Sequence, residues 1–129
     1  QIPNGCPGLE TRLPLLFSEG VLKNRISINK FVEITSLKPA KIYGLYPKKG
    51  SISIGSDADL VIWDTNIKKK IKNEDLNHSV DYTPYEDMEV NAWPNTIISR
   101  GSVIVKDEKL LVKRGHGEFL KSGISDYVY

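Results

Sequence analysis

Lys38-Pro-Ala-Lys-Ile-Tyr-Gly-Leu-Tyr-Pro-Lys-Lys-Gly-Ser-Ile-Ser-Ile-Gly-Ser-Asp-Ala-Asp-Leu-Val-Ile-Trp-Asp64 is the stretch on which the fold turns. Just before it Ser36 reads as an N-cap, Pro39 falls in a first helical turn where its missing N–H costs nothing, and Gly44 suits the left-handed residue that ends a helix. After Pro47 the period changes. Gly50-Ser-Ile-Ser-Ile-Gly55 alternates apolar and polar residues between glycines, which predicts a short half-buried strand. Leu60-Val-Ile-Trp63 shows no polar face before Asp64 and predicts a buried strand. The stretch is a joint, with helices before it and strands and loops after it.

Toward the N-terminus, Leu9, Leu13, Leu16, Phe17 and Val21 recur at helical spacing over 9–22. Pro14 in that span implies either a kink or a first turn that begins later than Leu9. Ser27 reads as the N-cap of a helix through about Thr35 that buries Ile28, Phe31, Val32 and Thr35. Ala40, Ile42, Tyr43 and Leu45 are expected to pack the next helix. Residues 2–8 hold Pro3, Pro7, Gly5 and Gly8, so the backbone is a shaped loop. Its exposed amides and carbonyls suit a polar ligand, and a plain connector is the alternative.

Toward the C-terminus, Lys68 to Lys72 predicts an edge strand whose lysines discourage further pairing. Asn73 to Trp93 is long, polar and aromatic without a clear period, which points to a functional or interfacial connection. Thr96 to Arg100 and Ser102 to Lys106 read as two β segments around Gly101, and Lys106 to Lys109 turns into Leu110 to Lys113. From Arg114 onward Gly115, Gly117, Phe119, Tyr127 and Tyr129 predict a tail that packs through its aromatic residues.

Composition bounds the function classes. A chain of 129 residues, 40% hydrophobic and 26% charged, suits one domain with a modest core. A net charge of +2 argues against a nucleic-acid partner, and the seven lysines between Lys41 and Lys72 read as a solvated strand face. No charged leader and no apolar run of about 18 residues targets or anchors the chain in a membrane, so the cytoplasm is the default compartment. Cys6 has no cysteine to pair with, in keeping with a reducing compartment. The chain opens in a turn-rich loop without methionine, and a piece of a longer protein is the expectation.

The residues do not assemble a self-sufficient active site. His78 and His116 are far apart in sequence and neither has metal-ligand spacing, so no metal site is expected from this chain alone. Nucleophile-elbow, phosphate-loop and dinucleotide motifs are missing. Cys6 lacks a neighbouring base and reads as a small buried or loop thiol rather than a nucleophile. Asp57 and Asp59 share a face at i and i+2; an acid–base or metal pair is possible chemistry, but turn and strand-start hydrogen bonding is favoured. Residue chemistry stops at an α-plus-β piece with an incomplete site.

Four ordered motifs carry further: Ile2-Pro-Asn-Gly5 with Pro7 to Leu16, Phe31 to Gly50, Gly55-Ser-Asp-Ala-Asp-Leu-Val-Ile-Trp-Asp64, and Val80-Asp-Tyr-Thr-Pro-Tyr-Glu86 with Arg100-Gly101. Together they resemble the C-terminal quarter of the hydantoinase and dihydropyrimidinase family of the amidohydrolase superfamily. The resemblance implies an α+β fragment, namely the closing helices of a (β/α)8 amidohydrolase barrel followed by strands of a small β-sandwich. Residues 1–47 would be the last barrel loop and closing helices, 48–113 the sandwich segment, and 114–129 an arm used between subunits of a homo-oligomer, a tetramer or dimer.

In that family a divalent metal, zinc by resemblance, is held by ligands that lie upstream of this chain. A metal-bridging hydroxide attacks a carbonyl of a cyclic amide or imide, and an upstream aspartate passes the proton to the leaving nitrogen. Asn4 matches the substrate-contacting asparagine, whose backbone groups hold the ring so that the attacked carbonyl faces the hydroxide. The resemblance gives no catalytic role to His78, His116, Asp57 or Asp59. It also admits a non-catalytic relative acting as a scaffold or interaction protein. A third reading, a free-standing interaction module, would leave Leu13, Leu16, Phe17, Ile28, Phe31 and Val32 facing water, which predicts aggregation.

Overall fold

Local sequence chemistry builds two helical runs and six short strands in the computed structural model, which describes residues 5–127. They fall into two units. One comprises the chain up to Ser27 with Asp64–Trp93, and the other Ile28–Trp63 with the chain from Pro94 onward.

In the first unit, the Arg12 N–H donates to the Gly8 carbonyl at 2.9 Å and opens helix α1, Arg12–Leu16. The late start puts Pro14 in the first turn, where its lost donor is harmless. Leu9, counted above on the helical face, is 85% exposed in the preceding turn. The run continues through a wider turn, Phe17–Val21, closed by the Leu22 N–H on the Phe17 carbonyl five residues back. The core of this unit is Ile71, Val90 and Trp93, with Leu15, Ile67, Leu76 and Tyr85 packed against it. Burying Ile71 and Val90 contributes roughly 2 kcal/mol each. The strand expected over Lys68 to Lys72 shrinks to β2, Lys69–Lys70, paired antiparallel with β3, Glu89–Val90. The supposedly aperiodic stretch therefore supplies Val90, Ala92 and Trp93 to the interior.

In the second unit, α2, Ile28–Val32, and α3, Lys38–Ile42, are joined without a break by a π-type turn, Glu33–Leu37. The helix boundary expected at Ser36 does not exist. Pro39 supplies no N–H and its ring would crowd the Thr35 carbonyl, and the chain widens its turn instead, with the Lys38 N–H reaching back to Glu33. Phe31 and Ala40 are buried, whereas Ile28 and Val32 are about half exposed, so the apolar face is narrower than the spacing implied. Gly44 does end the run, at φ +63°. The Gly123 N–H then donates to the Gly44 carbonyl at 2.9 Å and the Asp126 N–H to Lys41 at 3.2 Å, so the tail satisfies carbonyls that a helix end leaves open. This docking uses backbone groups and the Lys41–Asp126 ion pair at 3.6 Å; of the aromatic residues expected to pack, Phe119 is 93% exposed, Tyr127 is half exposed and Tyr129 lies outside the described residues.

Residues 50–55 form a loop, not the strand their alternation suggested. Gly50 and Gly55 both take positive φ, and the loop closes on itself through the Asp57 N–H on Lys48 at 2.9 Å and Ser56 Oγ on Pro47 at 2.7 Å. Ile52 and Ile54 stand in solvent. Strand β1, Leu60–Asp64, forms as expected but lies at the edge of a four-stranded sheet of order β1-β4-β5-β6, with β4 Trp93–Ser99, β5 Ser102–Lys106 and β6 Lys109–Leu110. Val61 and Ile62 are exposed, so the strand is not the buried one expected, while Trp63 meets the Phe31 ring edge-on, centroids 5.8 Å apart. The β4–β5 hairpin turns on Arg100 and Gly101, both at positive φ, the geometry a two-residue hairpin favours. Asp107 and Glu108 turn β5 into β6 in the same way. Among the described residues no helix is long and apolar enough to cross a membrane.

Candidate functional site

Asn4, the residue matched to substrate contact, lies outside the described residues. What is described is the loop that follows it and the segment that holds that loop. Gly5 takes φ +109°, a conformation open to glycine and strained for other residues, and a Cβ there would meet nothing within 4 Å. The Tyr82 hydroxyl donates to the Gly5 carbonyl at 3.3 Å. Next in the chain, the Cys6 thiol points to the Tyr85 hydroxyl, Sγ to Oη 3.7 Å, and this neighbour holds the Tyr85 phenol above its usual range. The Glu10 carboxylate accepts from the Asn77 backbone N–H at 2.8 Å and from Asn77 Nδ2 at 3.2 Å.

The bracing segment is itself well anchored. Leu76 and Tyr85 sit against the Ile71–Val90–Trp93 core. The Ile71 N–H donates to the Met88 carbonyl and the Asp87 N–H to the Ile71 carbonyl, both at 2.9 Å, extending the β2–β3 pairing. Lys72 bridges Glu86 at 3.2 Å and Asp87 at 2.7 Å and holds the Asp87 carboxyl below its usual range. Between loop and segment lies a cleft of about 430 Å³ lined by Cys6, Leu9, Thr11, Leu76 and His78 among others. The Thr11 hydroxyl, on a residue 1% exposed, and both ring nitrogens of His78 have no hydrogen-bond partner among the described residues.

The remaining candidates have structural work. The Lys49 ammonium bridges Asp57 at 2.8 Å and also binds Asp59, which accepts the Arg100 N–H at 2.8 Å. The pair thus fixes the entry to β1 and the tip of the β4–β5 hairpin, as the turn and strand-start reading anticipated. His116 gives its backbone carbonyl to the Arg100 guanidinium. Among the described residues no three histidine, cysteine, aspartate or glutamate side chains come together to hold a metal. The residues present do not fit a divalent ion.

A profile of the amidohydrolase family matches residues 8–104. The chain belongs to the amidohydrolase family. This amidohydrolase chain is 46% identical over 121 residues to a D-hydantoinase of Geobacillus stearothermophilus, a match that covers 94% of the chain and 26% of that protein. Its fold superposes on the D-hydantoinase of Bacillus sp. AR9 with a TM-score of 0.92 at 45% identity, covering 97% of the chain and 28% of that structure. On the dihydropyrimidinase of Brevibacillus agri the TM-score is 0.82 at 45% identity, covering 85% and 24%. The resemblance to hydantoinases and dihydropyrimidinases therefore holds over nearly the whole chain, and the chain spans about a quarter of the length of the curated relatives it matches.

The loop-to-segment bonds were invisible to sequence reasoning. Glu10 and Asn77 are 67 residues apart and Gly5 and Tyr82 77 apart, and no period or spacing links them.

Proposed function

We propose that this chain is the C-terminal part of a cyclic amidohydrolase that opens hydantoin or dihydropyrimidine rings by hydrolysis. The observation that carries the reading is the hydantoinase and dihydropyrimidinase likeness over nearly the whole chain, at 45% identity or above in the relatives just named. In this reading residues 1–47 are the last barrel loop and closing helices, 48–113 the sandwich segment and 114–129 an arm between subunits of a homo-oligomer. The divalent metal, zinc by family likeness, and its ligands belong to the part of the protein upstream.

This chain's contribution is positional. The backbone at Asn4 holds the cyclic amide in one orientation, and Gly5 gives the loop a turn that other residues adopt only under strain. A preset loop makes the reaction effectively unimolecular once the ring is bound. In this reading no catalytic role falls to His78, His116, Asp57 or Asp59.

The test is ring opening by the full-length protein on hydantoin and dihydrouracil, with an open-chain amide as control. Hydrolysis of at least one ring and not of the open-chain amide is expected. Full-length protein that carries its metal and opens neither ring would overturn the reading in favour of a scaffold.

A further inference from the structure

We infer that Tyr82, together with the Glu10–Asn77 pair, positions the substrate-holding loop, so that residues 77–85 act as its brace. This inference rests on the proposed role of Asn4. The brace touches the loop at three points: Asn77 holds Glu10, Tyr82 holds Gly5 and Tyr85 meets Cys6. The loop is therefore tied to the segment near both of its ends, at Gly5 and at Glu10. Tyr82 binds the carbonyl of the residue directly after Asn4, so a shift of that peptide group turns the next one, Asn4–Gly5, about the shared Gly5 Cα. The brace is fixed in turn by Leu76 and Tyr85 in the core and by Lys72 on Glu86. The arrangement gives a role to the aperiodic connection, whose length marked it as more than a linker.

Tyr82 is a positioning residue, because its hydroxyl is spent on the loop backbone. Its loss should therefore weaken capture of the ring more than turnover. In full-length protein, Tyr82→Phe is expected to raise KM for the ring about five-fold, the worth of one neutral hydrogen bond, with kcat within about two-fold. Metal content and melting temperature should match the parent. Asn77→Asp, which sets two carboxylates against each other, should raise KM likewise, and adding Glu10→Gln should restore it. Asn4→Pro, which removes the Asn4 N–H, separates this inference from the reading beneath it. Unchanged KM in Tyr82→Phe with an impaired Asn4→Pro would overturn the brace alone. Unimpaired Asn4→Pro would overturn the role of Asn4, and the brace with it. A fall in kcat with unchanged KM and a lowered melting temperature in Tyr82→Phe would mark a merely structural residue and overturn the inference too.

Discussion

The Glu10 carboxylate receives two hydrogen bonds from Asn77, from its backbone N–H at 2.8 Å and from Nδ2 at 3.2 Å. One acidic side chain thereby ties the turn before α1 to a segment 67 residues later. Charge-assisted bonds of this kind are stronger than neutral ones, and exposure to solvent moderates them. Asn77→Asp should cost about 1 kcal/mol of stability in the full-length protein, and the Glu10→Gln, Asn77→Asp double variant should recover most of it. Urea unfolding of the four-member cycle measures the coupling.

Gly5 offers a test of backbone strain without steric conflict. At φ +109°, with open space around a Cβ, Gly5→Ala meets no atom, so its whole effect is conformational. About 1 kcal/mol of strain is expected, relieved by a shift of the loop. Ring hydrolysis by the full-length protein should fall at least ten-fold in kcat/KM while its melting temperature changes by only a few degrees.

Gly44 is the contrasting case. It takes φ +63°, and a Cβ there would collide with the Gly123 backbone. Gly44→Ala should therefore lose the α3 terminus and the tail that caps it together, about 2–3 kcal/mol, and make Gly123 and Asp126 amides exchange faster in hydrogen-exchange measurements.

Lys49 with Asp57 and Asp59 sets a pH dependence. Burial works to raise the Asp59 carboxyl, but the Lys49 ammonium and the Arg100 N–H outweigh it and hold it below its usual range. Burial also works to lower Lys49, and its two carboxylate partners outweigh that and raise it. The depressed carboxyl contributes stability above its unfolded value of about 3.9, lost as pH falls through the lower folded value. The raised lysine contributes below about 10.4, lost only as pH climbs through its folded value. Lys49→Met should cost about 2 kcal/mol at pH 7 by leaving two carboxylates unpaired. The gap between parent and variant in urea midpoint should narrow below about pH 4.

The legible parts of the fold were those written in single residues. Gly44 and Gly101 declared a helix end and a hairpin turn because few residues accept positive φ. The rest depended on distant partners. The alternation at 51–54 promised a strand, but Gly50 and Gly55 at positive φ turn the chain, and the bonds of Ser56 and Asp57 to Pro47 and Lys48 close it as a loop. Ser36 looked like a cap because Pro39 follows it, and only the wider turn to Glu33 shows how a helix passes a proline unbroken. Val90 and Ala92 gave no period, since β3 is two residues long and its burial comes from Ile71 and Trp93. At the site, the family motif pointed to Asn4, which lies outside the described residues, whereas the ties from Asn77, Tyr82 and Tyr85 came from long-range hydrogen bonds and contacts.

The most direct measurement sets residues 1–129 beside the full-length protein and assays both for bound divalent metal and for hydrolysis of hydantoin and dihydrouracil. Metal and ring opening are expected in the full-length protein, with chelation abolishing the activity, and neither is expected in residues 1–129 alone. Ring opening by the 129-residue chain on its own would contradict the account.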